Sequence, residues 1–314
     1  MDRGLDIERP IARQPSLILG FIIAFTGAVL FSTKAIIVKK AFASIHVDAL
    51  TLLAMRMIFS LPFYLIAAYM VSSKEGNRRM TKSEWIWTAA LGLFGYYLSS
   101  LFDFIGLQYI SAGLERLILF LYPSFAVLIN RFVFKQNMYR NQVIALVLTY
   151  LGIGIAYFGE LSIDTGNPKF YWGSFLIFLC SITYAIYIAG SGKMVTKTGP
   201  AKFTAYAMLA STAGVLTHFV LRGDYAGMEK GGQLWMYGLL LALVATVLPT
   251  FLISFAMKKI GSNNTAIISS IGPVSTILQA HYFLGEPVFH EQIIGTVLVL
   301  CGVLMLGWKG GRKE

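Results

Sequence analysis

The chain is 314 residues long, 56% hydrophobic and only 13% charged, with a mean hydropathy of +0.67 and a formal net charge of +11. Ordinary soluble domains carry about 25% charged residues, so this composition excludes a soluble enzyme or binding module and describes an integral membrane protein. Apolar runs recur along the whole sequence and leave no stretch for a separate soluble domain. Each is about 20 residues long, enough to cross a hydrocarbon core of roughly 30 Å at about 1.5 Å per residue.

In chain order, the polar segment 1–16 (MDRGLDIERPIARQPS) comes first. It has no small-residue cleavage site before the first apolar run, which predicts a retained tail and not a removable leader. Ten predicted spans follow, over 17–38, 49–71, 84–106, 111–134, 141–159, 171–192, 202–221, 234–257, 263–284 and 291–308, and then a short basic tail, 309–314. The fold class expected is an all-α membrane protein of ten transmembrane helices, arranged as two five-helix halves, 17–160 and 161–308.

With the N-terminus inside, the inner segments hold seventeen Lys and Arg residues and the outer loops only Lys39, Lys40, Lys169, Arg222 and Lys230. That asymmetry predicts cytoplasmic termini. It also accounts for the net charge: the cations are spread over short loops facing anionic lipid, so no nucleic-acid partner is expected. Cys180 and Cys301 lie inside predicted spans with neither metal spacing nor an extracellular disulfide framework, which marks them as free packing residues.

Charges inside spans cost about 2.5 to 3.5 kcal/mol each at a helix centre, so each needs a partner or water. Span 1 carries Lys34, span 2 Arg56, span 3 Asp103, and span 4 Glu115 and Arg116, all in the outer half. Lys34 and Arg56 suit a substrate carboxylate or phosphate. Asp103 and Glu115 are the candidates for proton coupling or for ion pairing with Lys34 or Arg56. Arg116 stands near enough to the headgroups to snorkel. Tyr97, Tyr122 and Tyr184 sit too deep for an interfacial belt, and Tyr184 and Tyr187 are one turn apart on span 6, which points to cavity lining. Span 9, with GPVSTILQAHYFLGEP, adds Pro273, Gln279 and His281; both polar residues are candidates either for the cavity or for packing beside it.

The chain also repeats itself. Shifted by 150 residues, Pro273 falls on Pro123, Leu278 on Leu128, Gln292 on Gln142 and Gly302 on Gly152; near the N-terminus a shift of 153 sets Tyr187 opposite Lys34. Five spans per half is an odd number, so the halves enter the membrane in opposite senses. Inverted halves can be packed in two nearly equivalent ways around a midplane site, which predicts alternating access. Pro123 and Pro273, at equivalent places, are predicted to bend helices on either side of that site. Small residues seven apart in spans 5 and 10, Ala145 with Gly152 and Gly295 with Gly302, predict close helix packing within the chain or in a dimer.

Several segments resemble the drug/metabolite transporter superfamily, and within it the ten-span EamA-type carriers. They are FSTKAIIVK ending span 1, MRMIFSLPF with Arg56, TYAIYI of span 6 and, most specifically, IGPVSTILQAHYFLGEP. The resemblance covers about 17–308. It implies two EamA repeats in the bacterial inner membrane and export of amino acids, other metabolites or toxic compounds by secondary transport. The cavity would lie among spans 1 to 4 and 6 to 9, with 5 and 10 at the ends. One departure is that the first half has FKQNMY where its mate has LGEPVF, so that Gln136 stands at the position of Glu286; Glu286 is therefore expected to cap or pair locally.

The function expected is a secondary active transporter of a small molecule, with a counter-transported proton or solute, no cofactor and no metal, as monomer or homodimer. The alternatives are an intramembrane enzyme or a non-transporting scaffold or receptor. Against the enzyme, the sequence has no HExxH, no His pair at ligand spacing and no Gly-rich phosphate loop.

Overall fold

A computed structural model describes residues 14–73, 78–133, 135, 140–163, 167–225, 228 and 231–308. The N-terminal residues 1–13, the tail 309–314, and all of FKQNMY except Lys135 lie outside the described residues, Gln136 included.

The described elements are helical throughout: α1 (Gln14–Ile45), α2 (Ala49–Ser72), α3 (Lys82–Gly92), α4 (Ser99–Gly106), α5 (Ala112–Leu119), α6 (Tyr122–Phe132), α7 (Arg140–Ile163), α8 (Phe170–Thr198), α9 (Pro200–Arg222), α10 (Gly232–Ala242), α11 (Leu248–Ser269), α12 (Gly272–Leu284) and α13 (His290–Trp308). Among the described residues eight helical stretches are long and apolar enough to cross a membrane, and His290–Met305 is a shorter apolar helix. Lipid offers no hydrogen bonds, so a spanning backbone must satisfy its own N–H and C=O groups, and a helix does so within one segment. The side chains follow the same solvent. Phe21, Ile22 and Phe25 on α1, Leu65, Ile66 and Tyr69 on α2, and Trp85, Ile86 and Trp87 on α3 face outward, whereas Arg56, Asp103 and Glu115 are buried.

Helix starts are written locally. Asp48 caps α2 by accepting the Thr51 N–H at 3.0 Å. Thr81 and Glu84 form a reciprocal capping box at α3; each satisfies a donor that the first helical turn leaves unpaired.

Two kinds of irregularity interrupt the helices, and each occurs twice at a spacing of 150 residues. α3 passes into α4 through a π-helical segment, Leu93–Leu98, and α10 passes into α11 through another, Leu243–Val247. α5 gives way to α6 at a turn at residues 120–121, and α11 to α12 at residues 270–271. Pro123 and Pro273 therefore do not bend continuous helices. Each stands in the first turn of a new helix, α6 or α12, where a missing N–H costs nothing because that donor has no intrahelical partner.

The predicted connection at 258–262 is not a break: α11 runs through it. α1 lies alongside its earlier part, with Gly20 against Ile260 and Gly27 against Ile253.

α1 packs against α11 and α12, α2 between α9 and α10, and α8 against α4 and α6, while α7 pairs with α13. The stripes of small residues meet one another inside the chain: a Cβ on Gly152 would lie 2.6 Å from the Gly295 carbonyl, and one on Gly302 2.7 Å from the Ala145 carbonyl. The largest cluster of buried apolar side chains joins the C-terminal half of α1, the N-terminal half of α2, the ends of α4 and α9 and the start of α10. All of these lie at the end of the bundle that carries the α1–α2 connection. Lipid tails are as apolar as leucine, so close packing and not water exclusion holds this end together.

Candidate functional site

The charged residues of α1, α4 and α5 meet. Lys34 Nζ stands 2.7 Å from Asp103 Oδ2 and 3.4 Å from Glu115 Oε1, with both carboxylates almost wholly buried.

Arg56, on α2, is reached from the second half of the chain. Its Nε donates to Thr246 Oγ1 at 2.7 Å and its Nη1 to Ser100 Oγ at 3.2 Å. Thr246 Oγ1 in turn donates to the Leu241 carbonyl five residues back, at 2.8 Å, a partner that the wider π-helical turn supplies. The guanidinium also lies over the Phe104 ring, 5.7 Å from its centroid. Thr246 and its equivalent 150 residues earlier, Tyr96, both belong to π-helical segments. Tyr96 shares a hydrogen bond with Tyr187, oxygen to oxygen 3.2 Å.

These groups surround a cavity of about 310 Å³. Lys34, Arg56 and Asp103 line it on one side, with Tyr96, Ser99 and Ser100; Phe120, Tyr122, Tyr184 and Cys180 line it on another; Thr265 and Ser269 of α11 contribute from the second half. Tyr122 meets Tyr184 edge to face at 4.9 Å, and Tyr184 stacks on Tyr187 at 5.8 Å, spacings at which aromatic pairs attract. Cys180 is buried and hydrogen-bonds Ser99 at 3.3 Å; Cys301 is exposed on the outside of the bundle.

Of the residues singled out in the sequence, Lys34, Arg56, Asp103, Tyr122 and Tyr184 line this cavity, and Glu115 reaches it through Lys34. Four others do not line it. Tyr97 points the other way from Tyr96 and bonds His218 Nδ1 at 3.0 Å. Tyr187 backs the aromatic wall, wedged against Gly95, which leaves no room for a Cβ. Gln279 is turned to α1 and its own helix, donating to Val29 O at 3.4 Å and Ser275 Oγ at 2.9 Å. His281 is exposed near the end of α12, with Nδ1 3.0 Å from the Glu286 carbonyl.

Two expectations are corrected. Arg116 does not snorkel: it lines the cavity, its guanidinium 5.5 Å from the Phe120 centroid and close against Gly272, where a Cβ would come within 2.6 Å of Nη2. Glu286 does not cap its own helix. Its carboxylate accepts the N–H groups of Ala112 at 3.0 Å and Gly113 at 3.3 Å, so the end of LGEP caps α5 in the other half of the chain. Glu160 accepts the neighbouring Ser111 N–H at 3.2 Å, and Lys39 Nζ donates to the Ile110 carbonyl at 2.6 Å.

A model of the EamA-like transporter family matches residues 18–158 and again residues 171–308. The chain belongs to the EamA-like transporter family. The uncharacterized transporter YcbK of Bacillus subtilis (strain 168) is 31% identical over 311 residues, covering 94% of this chain and 96% of that protein. The uncharacterized transporter YyaM of the same organism is 25% identical over 242 residues, covering 76% and 78%. A solved crystal structure superposes with a TM-score of 0.64 at 16% identity, covering 94% of this chain and 99% of that one; the likeness is one of fold. As an EamA family member the protein is a multi-pass membrane transporter, and its candidate site is the cavity at the centre of the bundle.

Proposed function

We propose that the protein is a secondary active transporter that exports a small metabolite, amino acid or drug-like compound by alternating access, with residues 17–160 and 161–308 as inverted repeats, in a bacterial inner membrane with both termini cytoplasmic. The observation that carries this reading is the cavity itself: charged groups from α1, α2, α4 and α5 facing polar groups of α11, at a depth where an unused charge is costly. The 150-residue recurrence of the π-helical segments and of the helix breaks supports two structurally related halves meeting at that site.

The end bearing the α1–α2 connection is closed by the main apolar cluster and by Glu286 across the halves, which we read as the state shut towards the outside. Asp103 and Glu115 are assigned to coupling: with one ammonium between two carboxyl groups, gain or loss of a single proton switches the trio between neutral and anionic.

The test is counterflow of labelled amino acids and metabolites in proteoliposomes under imposed pH and substrate gradients. Transport of at least one solute is expected, and Glu115→Gln should lose acceleration by the pH gradient while still binding solute. A folded protein that moves nothing under any gradient would sink the carrier reading; a Glu115→Gln protein that keeps full pH-driven transport would sink the coupling role alone.

A further inference from the structure

The charges around the cavity do not balance. Lys34 is matched by Asp103 and Glu115, but Arg56 and Arg116 have no carboxylate within ion-pair distance among the described residues. Arg56 gives two of its five donors to neutral hydroxyls. Arg116 Nε is buried without an acceptor. An arginine cannot shed its charge as a lysine can, and an uncompensated buried charge is among the costliest features a fold can hold. Two permanent positive charges thus face a cavity whose walls combine aromatic rings, Tyr122 and Tyr184 among them, with the small hydroxyl side chains of Ser99, Ser100, Thr265 and Ser269.

From this surplus of three cations, Lys34, Arg56 and Arg116, over two carboxyl groups, Asp103 and Glu115, we infer that the substrate is an organic anion, a carboxylate carried on a flat apolar or aromatic body, bound by Arg56 and Arg116 and not by Lys34. The inference rests on the transporter reading and narrows it. A planar carboxylate matches the guanidinium fork, and a ring on that carboxylate would meet the Tyr122–Tyr184 wall. The cavity, about 310 Å³, is at the lower end of small-molecule sites, which run from roughly 300 to 1,000 Å³, so the ligand is about the size of one substituted ring. A zwitterionic amino acid is a poorer match, because the one lining carboxylate, Asp103, is already held by Lys34.

Isothermal titration of the purified full-length protein in detergent separates the cases, with phenylacetate, phenylacetamide and phenylalanine as probes. Phenylacetate is expected to bind at least tenfold more tightly than its amide and no less tightly than phenylalanine. Arg116→Gln and Arg56→Gln should each lose tenfold or more for phenylacetate, with Arg116→Lys partly restoring it; retention of the wild-type thermal transition identifies the variants that are folded. Equal binding of acid and amide, tighter binding of phenylalanine, or no binding of phenylacetate by folded protein would each overturn the proposal. Counterflow of some other solute would still uphold transport, so failure of the anion reading and failure of the carrier reading give different results.

Discussion

Lys34 faces two carboxyl groups, and this makes its removal worse than the loss of a single contact. Lys34→Met leaves two buried acids without the ammonium that contacts both, and breaking a buried pair from one side costs about 3 to 5 kcal/mol. The double variant Lys34→Met with Asp103→Asn should recover part of that loss, which thermal unfolding in detergent would read as a higher midpoint than for Lys34→Met alone. At Thr246 the expected loss is smaller: Thr246→Val removes the acceptor of Arg56 Nε and should lower stability by about 1 to 3 kcal/mol, measured in the same way. Lys34, Arg56, Asp103 and Glu115 were legible in the sequence because a charge within a span is expensive and therefore rarely idle. Thr246, Ser99 and Ser100 were not, since small neutral residues are ordinary in membrane helices; only the 150-residue register, which sets Thr246 opposite Tyr96, could have drawn attention to it. Arg116 was misjudged because counting residues from the span end gives depth and says nothing about which way the helix is turned.

The helices themselves were largely readable from apolar run length, but their interruptions were not. A π-helical segment leaves no residue signature in LFGYYL or LVATV, because it is a choice among backbone hydrogen bonds that neighbouring helices decide. The two prolines were visible, yet their consequence was misread by one turn: the chain breaks first, at residues 120–121 and 270–271, and the proline then starts the next helix. Pro123→Ala and Pro273→Ala should therefore each change stability by no more than about 1 kcal/mol, since neither restores a lost intrahelical bond. A gain near 3 kcal/mol in thermal or denaturant unfolding would instead place the proline inside a continuous helix.

At the scale of the molecule, the contact of Glu286 with α5 links the two halves at the closed end. Its removal should loosen that end without touching the cavity. Ala112→Cys, buried beneath the cap, should react slowly with a membrane-impermeant maleimide and several-fold faster when combined with Glu286→Ala; equal rates would show that the carboxylate does not hold the closure. The LGEP segment announced itself in the sequence, but its partner lies 174 residues away, and nothing local to either segment pairs them.

The α7–α13 contact carries a different kind of information. Gly152 meets Gly295, and Gly302 meets Ala145; exchanging each residue for the one 150 positions away turns the first pair into the second. A contact that maps onto itself when its partners are swapped has the form of a two-fold homodimer interface, here enclosed within one polypeptide. On the proposed division into two inverted halves, the chain would be a tethered dimer of five-helix subunits, and halves expressed separately, divided between the two family matches at 158 and 171, are expected to find one another in a bilayer.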